Sequence, residues 1–301
     1  MDVVVKALAL VTIVAIGQGI KRIGWVKASD FGMFSKIVLR ITLPCALVTA
    51  FNDYEMPVAM LGLALVGVVA NTVLQVTGHL LERRRGPQAQ ALAVLNLASF
   101  NMGAFATPYL AGFMGPAAVV QASLFDVGNS FAAAGVGYAW GTGLADESRR
   151  TTPAVFLRAM FSSVIFDVYL ALVVMKLAHL RLPDEIITFT ATVGSANTFL
   201  AMLMIGIGLR LHLDKHQYRQ SVRCLAIRYS LMTVMALVLW QIPLLHDFRV
   251  LLCVVLFAPV ASMTPGFTAE IKGDVALSSF MTSVSILVGI VAMPLLLVTL
   301  T

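Results

Sequence analysis

The chain has 301 residues, 59% of them hydrophobic and 12% charged, with a formal net charge of +6. Soluble domains carry about a quarter of their residues charged, so this composition, with a mean hydropathy of +0.90, excludes a water-soluble globular protein. The basic excess raises nucleic acid as a partner, and the placement of the charges excludes it.

A helix needs about twenty apolar residues to cross about 30 Å of hydrocarbon. Runs of that kind predict membrane spans near residues 3–20, 32–51, 57–80, 90–113 and 117–141. After a polar break, further spans are predicted near 153–178, 186–209, 220–242, 248–271 and 275–299. The first run follows Lys6 as a signal peptide would. It has no small-x-small cleavage pattern, and Gly17-Gln18-Gly19 leads directly into a basic turn, so it reads as a retained helix.

With the N-terminus placed outside, all of the 21 Lys and Arg except Lys6, Lys176, Arg181 and Arg249 fall at cytoplasmic ends. That asymmetry is the positive-inside pattern. Both termini then lie outside, and the expected location is a cell membrane, with the lipid bilayer as surroundings. The Arg83–Arg85 triplet reads as a stop at the cytoplasmic face, and Arg40 and Arg228 as side chains that snorkel toward it, with substrate binding as the alternative.

Five spans in residues 1–141 and five in 153–301, joined by a cytoplasmic loop over 142–152, invert the second half relative to the first. The predicted fold is an all-α polytopic membrane protein of ten transmembrane helices in two inverted five-helix repeats. Spans 4 and 9 stand out. Leu95 to Pro116 is apolar but carries Asn96, Asn101 and Pro108, and Leu256 to Asp274 carries Pro259, Thr264, Pro265 and Gly266. Proline removes a donor and clashes with the preceding turn, so both spans are predicted to be proline-broken helices that cross. Two unrelated kinks would explain each proline but not their matched positions.

A half-helix that starts in mid-membrane presents unpaired N–H groups and partial positive charge, which suits a carboxylate. The expected donors are Tyr109, Leu110 and Ala111 after Pro108, and Gly266, Phe267 and Thr268 after Pro265. Asn101, Thr107, Ser262 and Thr264 supply side-chain hydrogen bonds beside them. The candidate substrate site is therefore Asn101, Thr107, Pro108, Tyr109, Ser262, Thr264, Pro265 and Gly266. Ionisable residues inside spans are functional candidates: Asp126 with Asn129, Asp167 and Glu270 are the ion-coupling candidates. Asp126 and Asp167 read either as paired with a basic group or as proton carriers. Glu270 faces water beside Lys272 or helps hold a coupling cation, so Na+ and H+ both stay open. Asn71, Gln75, Asn129 and Asn197 read as hydrogen-bonding glue between helices.

Asn101-Met102-Gly103, Pro108, Phe113-Met114-Gly115 and Phe125-Asp126-Val127-Gly128-Asn129 form a pattern that resembles the auxin efflux carrier family. Leu203 to Leu209 and Pro259 to Asp274 resemble its second-half signature. The family includes bacterial malonate-type carriers and plant auxin exporters, within the bile acid/auxin/arsenite-type superfamily. The resemblance implies a scaffold from the first two spans of each half and a transport domain carrying the crossed helices. It also implies small organic anions, mostly carboxylates, moved by secondary active transport with an elevator-type motion. The chain departs from the family in lacking the hydrophilic middle loop of the long plant carriers, and in Met102 and Ala104 to Thr107, where the family is richer in glycine. The substrate therefore does not carry over.

No H-E-x-x-H, G-x-S-x-G or Walker motif occurs, and Gly206-Ile207-Gly208 lies inside an apolar run. An enzyme is not expected, nor a metal or cofactor beyond the coupling ion. The three cysteines read as small core residues. A second copy of the chain stands open as a partner. A sensor that keeps the transporter fold, or a channel, is the competing reading.

Overall fold

A computed structural model describes residues 2–54, 56–146, 161, 163–210 and 215–301. All regular structure among them is helical. In chain order the α-helices are α1 Asp2–Arg22, α2 Phe31–Ile37, α3 Leu43–Asp53, α4 Gly62–Leu81, α5 Pro87–Leu97, α6 Thr107–Ser130 and α7 Tyr138–Ala145. They continue with α8 Val164–Leu177, α9 Asp184–Gly194, α10 Asn197–Gly208, α11 Lys215–Trp240, α12 Arg249–Val255, α13 Thr264–Glu270 and α14 Val275–Leu300. Among the described residues, six stretches are long and apolar enough to cross a membrane: Ala28–Asn52, Ala59–Leu81, Pro87–Ala145, Asp184–Gly208, Gln217–Trp240 and Val275–Leu300. Large apolar side chains such as Leu65, Leu237 and Val291 are about two-thirds exposed, as contact with lipid requires. The protein is a multi-pass membrane protein.

Local chemistry sets the ends of several helices. Gly86, at φ 93, and Pro87 begin α5, using a glycine turn followed by a proline at the first helical position. Ser163 and Asp274 cap α8 and α14 by accepting the backbone N–H groups of Phe166 and Leu277. The helix expected to end at Gly141 continues to Ala145, so the connecting loop begins later than Thr142. The rest of that loop, and the first part of the sixth predicted span, lie outside the described residues.

The non-helical backbone is displaced from the predicted place. In the first half it is Ala98–Asn101, with Ser99 at φ 69, and not the residues around Pro108. Pro108 instead lies inside helical structure, directly after a π-helical turn, Met102–Ala106. That wider turn accommodates a residue that cannot bond the carbonyl four positions back and whose ring would strike it. Gly115, at φ 74, makes the turn before Pro116. In the second half the helix stops at Val255, residues 256–263 are turns and extended chain, and Pro265 sits in the first turn of α13.

Contacts divide the chain into two compact units. One is Met1–Leu61, Met102–Leu124 and Ser163–Leu209, and the other is Gly62–Asn101, Phe125–Ser162 and Arg210–Thr301. In the first, α1 runs along α10, and Lys21 Nζ caps the end of α10 by donating to the carbonyls of Ile207 (2.8 Å) and Leu209 (2.9 Å). In the second, Val260 of the non-helical residues 256–263 packs with Leu225, Leu277 and Met281 in a buried cluster.

Candidate functional site

The second unit builds its site from a close helix crossing. A Cβ on Gly67 would overlap the carbonyl of Phe125, and one on Gly128 would overlap that of Ala64. Only glycine permits α4 and the end of α6 to meet backbone to backbone in this way. One turn after Gly67 stands Asn71, and directly after Gly128 stands Asn129, so the crossing brings the two amides together: Asn71 Nδ2 donates to Asn129 Oδ1 at 3.1 Å.

These amides hold the non-helical chain. Asn71 Oδ1 accepts the backbone N–H of Ser99 at 2.8 Å. Asn129 Oδ1 accepts that of Phe100 at 2.9 Å, and Asn129 Nδ2 donates to the Phe100 carbonyl at 2.9 Å. Asn129 Nδ2 also donates to Asp126 Oδ1 at 2.7 Å. Backbone groups that a helix would have satisfied are thus satisfied by side chains, which buried polar groups require. A non-glycine residue in the left-handed region costs about 1–3 kcal/mol, so Ser99 at φ 69 persists because its surroundings hold it.

The other non-helical stretch meets the first here. The N–H of Asn101 donates to the carbonyl of Pro259 at 2.8 Å, and Asn101 Nδ2 donates to Ser262 Oγ at 2.8 Å. Ser99 Oγ lies 3.1 Å from Thr264 Oγ1 and accepts the Ala261 N–H at 3.3 Å. Of the candidate substrate residues, Asn101, Ser262 and Thr264 are therefore brought together, with Asn101 and Thr264 buried. Pro265 and Gly266 follow directly. Gly266 is exposed, and a Cβ there would meet open space. Among the expected donors, Phe267 N–H is already bonded to Met263 O, so it is not free.

Arg228 corrects the sequence reading most. It was expected to snorkel, yet it is fully buried. Its guanidinium donates to the carbonyls of Leu97 and of Ala258 (3.1 Å), and its Cζ lies 4.5 Å from the centre of the Phe100 ring. Helix α11 begins at Lys215, earlier than predicted, which places Arg228 in the middle of Gln217–Trp240 and too deep to reach a surface. The carbonyls left by two helix ends replace water as its partners.

The remaining candidates stand elsewhere. Glu270 is exposed at the end of α13 and accepts a hydrogen bond from the Tyr138 hydroxyl. Asp167 is exposed in the first turn of α8 and not in the middle of a described span. It belongs to the first unit, as do Thr107, Pro108 and Tyr109. There Thr107 is buried with no hydrogen-bond partner for its hydroxyl. The Pro108 carbonyl accepts from Thr198 Oγ1 at 3.0 Å, and the Tyr109 ring packs between Phe105 and Phe113. The glue residues do bridge helices: Gln75 Nε2 donates to the Ala132 carbonyl at 2.7 Å, and Asn197 Oδ1 accepts from Thr42 at 2.9 Å.

Sequence reasoning missed Ser99 and Phe100 and favoured a surface place for Arg228. A serine inside an apolar run and an arginine amid LAIRYSLM were the available signals. Residues 2–144, a little under half of the chain, match the family model described as membrane transport protein, and the match covers the motif from Asn101 to Asn129. Proteins of that family are membrane transporters and not enzymes. No curated protein matches the chain.

Proposed function

We propose that this chain, whose first half is that of the auxin efflux carrier family of membrane transport proteins, is a secondary transporter of small organic anions. In this reading the chain crosses the bilayer ten times in two inverted five-helix repeats, and the interruptions at Ala98–Asn101 and at residues 256–263 are breaks in the fourth and ninth crossings. The observation that carries it is the hydrogen bond from the Asn101 N–H to the Pro259 carbonyl, which joins the two interrupted stretches within one unit. Interrupted helices at corresponding places in two halves are the pattern of a mid-membrane substrate site.

The substrate carboxylate binds beside Asn101, Ser262 and Thr264, with Gly266 leaving room at the start of α13. The division of contacts supports an elevator-type movement. The first unit collects the first two spans of each half, the set that the resemblance assigns to a scaffold, together with Met102–Leu124. The second holds the interrupted stretches and moves with the substrate. Asp126 is the proton-carrying candidate, since its carboxylate is buried and bonded to the amide that holds the break.

The test is uptake of labelled mono- and dicarboxylates into proteoliposomes. Saturable uptake, counterflow exchange, and a fall of ten-fold or more in Asn101→Ala and Ser262→Ala are the expected results. Failure of the parent protein to move any organic anion would refute the reading. So would non-saturating flux without exchange, which is the behaviour of a channel, or unchanged uptake in both variants.

A further inference from the structure

We propose that Arg228 is a built-in cation at the crossing of the two interrupted stretches, doing there what a bound sodium ion would otherwise do, so that transport by this chain does not depend on sodium. The inference rests on the transport reading for its consequence, but its structural part stands on contacts within one unit. Helix α5 ends at Leu97, and past the end of α12 the N–H groups of Leu256, Phe257 and Ala258 take the carbonyls of Leu252, Val254 and Val255, so the Ala258 carbonyl is the one the chain then turns toward Arg228. Two backbone carbonyls aimed at one buried place concentrate partial negative charge there. Carbonyls of this kind are what interrupted transporter helices use to coordinate Na+. Here the carbonyl of Leu97, from one end, and that of Ala258, just past the other, both bond a single guanidinium.

The guanidinium is also held in place. Phe100 lies under it, and the backbone of Phe100 is clamped on both its N–H and its C=O by Asn129. Arginine stays protonated where lysine would lose its charge more readily, so the cation is permanent as well as tethered. A diffusible sodium ion drives transport by crossing the membrane once per cycle and dissociating. A tethered arginine returns with the protein and contributes nothing to the net driving force. It still supplies the positive potential that an anion needs at the crossing. Glu270, the sodium candidate in the sequence, stands exposed at the opposite end of α13 and bonds Tyr138 instead.

The experiment uses the purified full chain and has a binding arm that needs no transport. Thermal unfolding is compared in NaCl, KCl and choline chloride at equal ionic strength. Sodium at about 100 times the Kd of a specific site would raise the midpoint by several degrees, so the wild type is expected to show no sodium-specific shift. Arg228→Ala is expected to melt lower and to recover part of the loss with millimolar guanidinium chloride, but not with urea. Arg228→Lys, which keeps a charge, is expected to melt closer to the wild type than Arg228→Ala and to keep sodium-independent uptake. If Arg228→Ala yields no folded protein, Arg228→Lys against the neutral Arg228→Gln makes the same comparison. A sodium-specific rise in the wild-type midpoint, a several-fold sodium dependence of wild-type uptake, or an Arg228→Ala or Arg228→Gln variant as stable as the wild type would overturn the proposal. If no anion is taken up by any form but guanidinium restores Arg228→Ala, the cation assignment stands and the transport reading falls.

Discussion

Replacing Asn129 by alanine should damage the fold more than any other single amide deletion in the second unit. The side chain makes four contacts: to the Phe100 N–H and C=O at 2.9 Å each, to Asn71 Nδ2 at 3.1 Å and to Asp126 Oδ1 at 2.7 Å. Alanine takes this partner from the Phe100 N–H and C=O, one Asn71 proton and Asp126 Oδ1 in a place that water does not reach. Each orphaned group costs about 1–3 kcal/mol in a soluble core, while side-chain bonds between membrane helices average about 0.6 kcal/mol. Four groups taken between those limits, with partial relaxation, give a loss of about 2–5 kcal/mol. The matched control is Asn96→Ala. Asn96 Nδ2 donates to Leu92 O in its own helix and to Thr268 Oγ1, so the loss should be about 1 kcal/mol. Equilibrium unfolding of purified protein by SDS in mixed micelles gives both values on one scale. An Asn129→Ala variant within about 0.5 kcal/mol of the wild type, or no less stable than Asn96→Ala, would refute the claim that this amide holds the non-helical chain.

Gly128→Ala places a methyl group against the Ala64 carbonyl and should cost about 1–3 kcal/mol, whereas Gly143→Ala, with open space around it, should be neutral or slightly stabilising; thermal unfolding of the pair checks this. Lys21→Met removes two charge-assisted bonds from the end of α10 and should cost about 1–3 kcal/mol, with faster amide hydrogen exchange at the last turn of that helix as its local signature. Glu82 is buried between the half-exposed guanidiniums of Arg223 and Arg85. Glu82→Gln should lower the unfolding midpoint and flatten its dependence on salt, measured from low to high NaCl.

The six long apolar stretches were legible because the bilayer fixes both length and composition, and Asn101, Ser262 and Thr264 drew notice because polar side chains inside apolar runs need a reason. The place of the interruption was not. Pro108 is the residue a local rule selects, but a local rule cannot know that a π-helical turn precedes it and absorbs the missing bond. The chain leaves the helix at Ser99 and Phe100 because Asn71 and Asn129, from other helices, offer their backbone groups better partners than the helix would, and those helices meet only because Gly67 and Gly128 let them touch. Arg228 was misplaced because the burial of a charged group in a membrane protein depends on where its helix begins and on what faces it. A shift of a few residues at Lys215 takes an arginine from the rim to the centre, and the carbonyls of Leu97 and Ala258 then make that depth tolerable. A polar residue in an apolar run thus announces that some partner exists, while the identity of the partner is a property of the tertiary crossing, which is why the residue most central to the charge balance of this site was the one that sequence assigned to the surface.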